Sequence, residues 1–218
     1  MHQVLYLRQG VHLAVVGDDL VTLDTGADAY GCLPGLGCAI GPRGPGGRVD
    51  VSLAGAADRL IEAGLIAACP QNGAACTPPP LPTRSVWRAD RAAVTAADGR
   101  RLARAYAKAA PQVWRSSFRR LLSAAARERP PAADASPLAM QRDAQAFDQL
   151  MPFVPFQGQC LFRSRLLLAF LRTERRDAAW VFGVRTYPFQ AHCWLQAGDT
   201  VLDDAAERVC GYVPILAV

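Results

Sequence analysis

The chain has 218 residues, 51% of them hydrophobic, which is enough for one large domain or two small ones around a packed core. Its net charge of +5 rests on 24 Lys plus Arg, nearly all Arg and spread along the chain, a pattern that argues against a dedicated nucleic-acid surface. There is no signal-type N-terminus, no uncharged apolar run of about 18 residues, and no framework spacing among the cysteines, so the composition predicts a cytoplasmic, reduced protein with no membrane partner.

In chain order, residues 4–7, 11–16 and 20–23 are short β-rich runs separated by Gln9-Gly10 and Gly17-Asp18-Asp19, the latter reading as a tight hairpin, and Tyr30-Gly31-Cys32-Leu33 extends the sheet. Residues 34–47 are rich in Gly and Pro and poor in helix formers. Arg43-Gly44-Pro45-Gly46-Gly47 lacks the Lys-Ser/Thr of a phosphate loop and reads as a surface loop. Over 50–68, Val51, Leu53, Ala57, Leu60, Ile61 and Leu65 recur at helical spacing, closed by Gly64-Leu65-Ile66.

Thr77-Pro78-Pro79-Pro80-Leu81-Pro82 is the better of two proline-rich boundaries, since consecutive prolines forbid helix and ladder bonding. The chain therefore divides into residues 1–76, a linker over 77–84 and a second domain over 85–218. Beyond the linker, 96–127 carries an apolar helical stripe expected to break at Pro111, and a further helix spans 138–150. Arg100, Arg101, Arg104, Lys108, Arg115, Arg119 and Arg120 lie along this stretch and read as a solvated helix face, with a basic groove for an acidic peptide as the alternative.

The segment Pro155-Phe156-Gln157-Gly158-Gln159-Cys160 leads into Leu166-Leu167-Leu168-Ala169-Phe170-Leu171, placing Cys160 at the start of a buried helix. There the positive end of the helix dipole favours thiolate over thiol. His192 lies in the strand-like run Gln190-Ala191-His192-Cys193-Trp194-Leu195, and Thr200-Val201-Leu202-Asp203-Asp204 follows as the other arm of a hairpin. A three-residue loop, Ala197-Gly198-Asp199, pairs position 192 with 204 and sets Asp204 beside the imidazole, whereas a two-residue loop turns Asp203 to that face. The odd loop is favoured, giving Cys160, His192 and Asp204 as nucleophile, base and orienting acid. Cys193 is expected to be a core residue. Cys32, Cys38, Cys69, Cys76 and Cys210 form no CxxC pair, so no metal site is predicted.

Cys160-Leu161-x-Arg163-Ser164, Val181-Phe182-Gly183-Val184-Arg185, Pro188-Phe189-x-Ala191-His192-x-Trp194 and Val201-Leu202-x-Asp204 together resemble the leader peptidases of lasso-peptide biosynthesis, the B proteins of the transglutaminase-like, papain-like group. The resemblance implies an α+β fold, with a papain-like cysteine protease domain over 85–218 whose triad falls on Cys160, His192 and Asp204. Cys193 stands where a small residue is expected and Asp203 where Asn is expected. Gln157 is a candidate oxyanion donor by analogy with a papain-like glutamine, with a loop-stabilising role as the alternative. Residues 1–76 resemble more weakly the small winged-helix element that binds leader peptides, with its middle shortened; the alternative is a cap that only packs on the protease. The implied partners are a precursor peptide, held through its leader, and an asparagine-synthetase-like macrolactam cyclase. No cofactor is implied, and any ATP dependence would come from the cyclase. Transglutaminase-like acyl transfer and a non-catalytic peptide-delivery module are the competing functions.

Overall fold

Strand formation in the N-terminal third follows the β-rich runs. The computed structural model describes residues 3–41, 44, 47–53, 55–67, 69, 79–86, 92–130, 136–155 and 159–218; Gln157 and most of the 43–47 run lie outside the described residues. Strands β2 (Val11–Val16), β3 (Asp19–Asp24) and β4 (Ala29–Leu33) form an antiparallel meander in which Val16 pairs with Asp19 across a turn containing Gly17, held at φ +59°. Strand β1 (Gln3–Leu7) instead pairs with β5 (Arg48–Val51) and β6 (Ile66–Ala67) in a second three-stranded sheet.

The helix expected over 50–68 is cut down to α1 (Ala56–Glu62). Arg48-Val49-Asp50-Val51 alternates polar with β-branched residues, and as a strand it buries Val49 and Val51 completely or nearly so. Gly55 and Gly64, at φ +77° and +66°, close the helix at either end. Over 34–47 the described residues form a 3-10 turn at Gly37–Ala39 and an isolated bridge from Ile40 to Val51, but no α-helix, which accords with the Gly/Pro content.

Strands β2 and β3 are covered on both faces, and strand parity shows by what. Val11, Leu13 and Leu20 point into a core shared with Val49, Val51 and Leu60, whereas Ala14, Val21 and Leu23 point the other way, into the large core that contains Leu166, Phe170 and Phe182. The meander is thus packed directly on the second half of the chain, with β2 against β11 and β8.

That second half is built on α5 (Cys160–Arg172), whose Leu166, Leu167, Leu168, Phe170 and Leu171 are fully buried. It packs against α2 (Ala96–Arg115), α4 (Pro137–Leu150) and one face of a five-stranded sheet. The sheet order is β11 (Val213–Ala217), β8 (Ala179–Arg185), β9 (Gln190–Ala197), β10 (Thr200–Val201) and β7 (Arg84–Ser85). Its β8–β9 and β9–β10 pairs are antiparallel, and β7 adds to β10 as a parallel edge strand.

The expected break at Pro111 is absent. α2 runs through it, held by a capping box between Thr95 and Asp98 at its start and by buried Leu102, Ala105, Ala109 and Ala110 along one face. The break falls at Ser116, which is extended (φ −104°, ψ 148°), and α3 (Phe118–Arg127) follows. Among the basic residues of this stretch, Arg101 is buried rather than solvated; it pairs with Asp98 and Asp143, a cluster that Arg142 and Arg176 join.

The described part of the proline-rich stretch is tied to the sheet. Gln196 Nε2 donates to Pro80 O at 2.7 Å, and Thr83 Oγ1 and Arg84 donate to the Asp199 carboxylate at 2.7 and 2.6 Å. No helix among the described residues is long and apolar enough to cross a membrane.

Candidate active site

Cys160 is the first residue of α5, following Gln159, whose extended backbone caps the helix start. The helix amides begin bonding with Phe162 N–H and Arg163 N–H to Gln159 O, so the dipole's positive end falls on Cys160. A buried brace anchors this turn. Ser164 Oγ donates to Cys160 O at 2.8 Å, accepts from Trp180 Nε1 at 2.8 Å, and lies 3.4 Å from Cys193 Sγ.

β9 supplies the partners. β10 pairs with it only at Gln196 and Ala197, so on the side away from β8 the ladder is open near His192 and Cys193, and Cys160 occupies that open edge. The thiolate receives hydrogen bonds from the Cys193 thiol, the His192 ring and the Cys193 backbone N–H. The Cys193 thiol is the strongest of these influences, and together they overcome burial and bring the Cys160 pKa down to about 4. Cys193, deeply buried beside that charge, is pushed well above the ordinary thiol value and remains a donor.

His192 Nε2 lies 2.7 Å from Asp204 Oδ2, which leaves Nδ1 to serve the thiol. Burial pulls the imidazole pKa down, but the bonds to Asp204 and Cys160 and their charges outweigh it and raise it to about 9. Burial likewise favours the neutral form of Asp204, yet the bonds from His192 and from Ala205 N–H hold its carboxyl below the usual range. Near neutral pH the pair is therefore thiolate and imidazolium.

The route by which Asp204 reaches His192 differs from the expected one. The hairpin loop is the two-residue Gly198-Asp199, with Ala197 opposite Thr200 and Gln196 opposite Val201, not the three-residue loop. Continued as a regular strand, that register would have put Asp203 on the His192 face. The chain leaves strand geometry after Val201, however, and Asp203 turns inward to accept from Leu195 N–H at 2.8 Å, filling a place in the ladder. Asp204 then swings over the imidazole. Burial pushes Asp203 up to about 7 despite the Leu195 bond.

Two cavities flank the Cys160–His192 pair. One, of about 480 Å³, is polar and is lined by Asp204, Arg163, Arg208, Gln190 and Tyr212. The other, of about 290 Å³, has an apolar floor and includes Asp28 and Tyr30 from the N-terminal meander. Sequence reasoning missed the Cys193 donor, although its departure from the expected small residue was a signal. It also missed Tyr30, which nothing local to residue 30 would have flagged. No group of three or more His, Cys, Asp or Glu among the described residues is placed to hold a metal ion.

Over 50 residues the chain is 42% identical to the microcin J25-processing protein McjB of Escherichia coli. The stretch covers 23% of this chain and 24% of that protein, so the chain spans about a quarter of the length of the curated relative it matches. No solved structure matches it. Residues 103–217, more than half of the chain and all of the Cys160, His192 and Asp204 region, match the transglutaminase-like superfamily, and the chain belongs to that superfamily.

Proposed function

We propose that this protein is a cysteine peptidase that removes the leader from a ribosomally made precursor peptide in lasso-peptide maturation. The observation that carries the reading is Cys160 at the start of α5, sharing a cavity with His192, whose Nε2 lies 2.7 Å from Asp204 Oδ2. Its location within a transglutaminase-like region and the likeness to a microcin-processing protein support the substrate class.

In this mechanism Cys160 Sγ attacks the scissile carbonyl carbon, and the carbonyl π electrons move onto oxygen beside the N-terminus of α5. As the tetrahedral species collapses, the C–N bond breaks and imidazolium His192 gives its proton to the leaving amine. Neutral His192 then takes a proton from water, whose oxygen attacks the thioester and releases the carboxylate and the thiolate. Asp204 holds the ring so that Nδ1 faces the sulfur throughout.

Residues 1–76 serve as the leader-binding element in this reading. β4 is an edge strand of the meander and carries exposed residues, so an extended leader adds to it by main-chain bonds. Holding the leader there raises the effective concentration of the scissile bond at Cys160. The freed core peptide passes to an asparagine-synthetase-like cyclase, through which any ATP requirement enters.

The same thiolate chemistry serves acyl transfer to an amine, and a delivery module would use the fold without chemistry. Incubation with the precursor encoded nearest this chain, read by mass spectrometry, separates the three. Hydrolysis into leader and core is expected. Amine incorporation would replace the peptidase reading with an acyltransferase, and an unchanged precursor in the presence of the cyclase would replace it with a delivery module.

A further inference from the structure

The apolar-floored cavity beside Cys160 has walls from two distant parts of the chain. Val113, Phe118, Leu161 and Phe182 form the floor, and Asp28 and Tyr30 the opposite side. Strand parity explains why Tyr30 is there. Tyr30 pairs with Leu23 and shares its face, which is the face packed on the protease half. Two contacts fix the approach. Tyr30 packs against Phe189 with ring centroids 5.5 Å apart, and Tyr187 Oη donates to Asp19 Oδ2 at 2.9 Å, so the β8–β9 turn is clasped by β3 and β4. Asp19 is itself buried and also accepts from Gly35 N–H. Burial is the main cause that pushes the Tyr30 phenol up to about 12, so the ring stays neutral across the working range.

We propose that Tyr30 and Asp28 complete a specificity pocket beside Cys160 that receives an apolar side chain of leucine to phenylalanine size from a substrate residue within two positions of the scissile bond. The N-terminal half then acts twice on one substrate, once in holding it and once in selecting the residue presented to the thiolate. The inference rests on the peptidase reading for its substrate. The occupant follows from the chemistry of the walls. The floor has no charged group, the cavity opens on the reacting sulfur, and its volume of about 290 Å³ exceeds what alanine would fill.

The test uses the full chain and acetyl-dipeptide vinyl sulfones bearing Ala, Leu or Phe at either position. Cys160 sulfur adds to the vinyl β-carbon while the α-carbon takes the His192 proton. Wild type is expected to react about 10-fold faster with Leu or Phe than with Ala at one position. Tyr30→Ala should cut that ratio to about threefold or less, and Val113→Trp, which fills the floor, should reverse it. The rate with iodoacetamide, which needs no pocket, should be the same in wild type and Tyr30→Ala, showing an intact thiolate. Tyr30→Phe keeps the ring and should keep the ratio. An unchanged ratio in Tyr30→Ala and Val113→Trp, or no preference in wild type, overturns the pocket. Wild type that reacts selectively with these probes yet leaves the precursor whole would sink the leader-peptidase reading alone. Cleavage of the precursor without a variant-dependent preference would sink the pocket alone.

Discussion

The Cys160–Asp204 stretch and the β2–β4 meander both reach the same cleft, but by different physical routes. In the first, the chemistry is local: a helix start, a strand and the turn after it carry the reacting groups, and short-range geometry orients them. In the second, Tyr30 arrives only because a sheet buried on both faces turns one face toward α5 and β8. On the proposed reading, the contrast teaches that reactivity and selection are separable. Substitutions in the first region should change the chemistry, and those in the second should change which peptide reaches it.

The sharpest way to break this division is to remove the nucleophile. Cys160→Ala is expected to lower precursor turnover by about 10⁴-fold or more, with leader affinity in a binding titration unchanged. Turnover at the wild-type rate would refute the thiol mechanism. Next comes the acid. Asp204→Asn should lower kcat/KM on the order of 10³-fold by loosening the imidazole. Asp203→Asn keeps an acceptor for Leu195 N–H and should cost about threefold or less. Steady-state kinetics on both variants reads the difference, and equal losses would mean that Asp203 shares the orienting role.

A smaller effect concerns Cys193. The free enzyme should show a bell-shaped kcat/KM profile with limbs near pH 4 and pH 9. As pH falls through about 4 the thiolate takes a proton and attack stops; as pH rises through about 9 His192 loses the proton the leaving amine needs. Cys193→Ala removes the strongest of the influences that lower the Cys160 pKa, so its acid limb should move upward while the basic limb stays. Activity at pH 7 should remain substantial. An acid limb unmoved in this variant would return Cys193 to a packing role.

The smallest expected effect tests the clasp between the two regions. Tyr187→Phe deletes the bond to Asp19 at an exposed position and should alter kcat by about twofold or less. Its signature is a weakened Leu-over-Ala preference with an unchanged iodoacetamide rate. Loss of the iodoacetamide rate as well would tie the clasp to the thiolate and blur the division.

Much of the transglutaminase-like half was legible in its residues. The helix at Cys160 and the hairpin around His192 come from local signals, a loop feeding a run of leucines and an apolar strand beside a Gly-Asp turn. The 50–68 segment was misread because helical and strand periodicities coincide at Val51; burial of Val49 and Val51 against β1 decided for strand. Pro111 was expected to end a helix whose packed face carries it through.

By itself, then, the sequence determined the elements that bear the thiol and the imidazole, because helix caps and strand alternation act over a few neighbours. Only the tertiary structure decided that Asp204 rather than Asp203 faces His192, since the chain abandons strand geometry once Asp203 finds Leu195 N–H. It alone decided that Cys160 meets both His192 and Cys193, neighbours on opposite faces of β9, because that depends on where β10 stops and leaves the edge open. And it alone brought Tyr30 to the cleft, since the contact between residues 30 and 189 depends on which face of a distant sheet is covered, a choice made by packing rather than by any local preference.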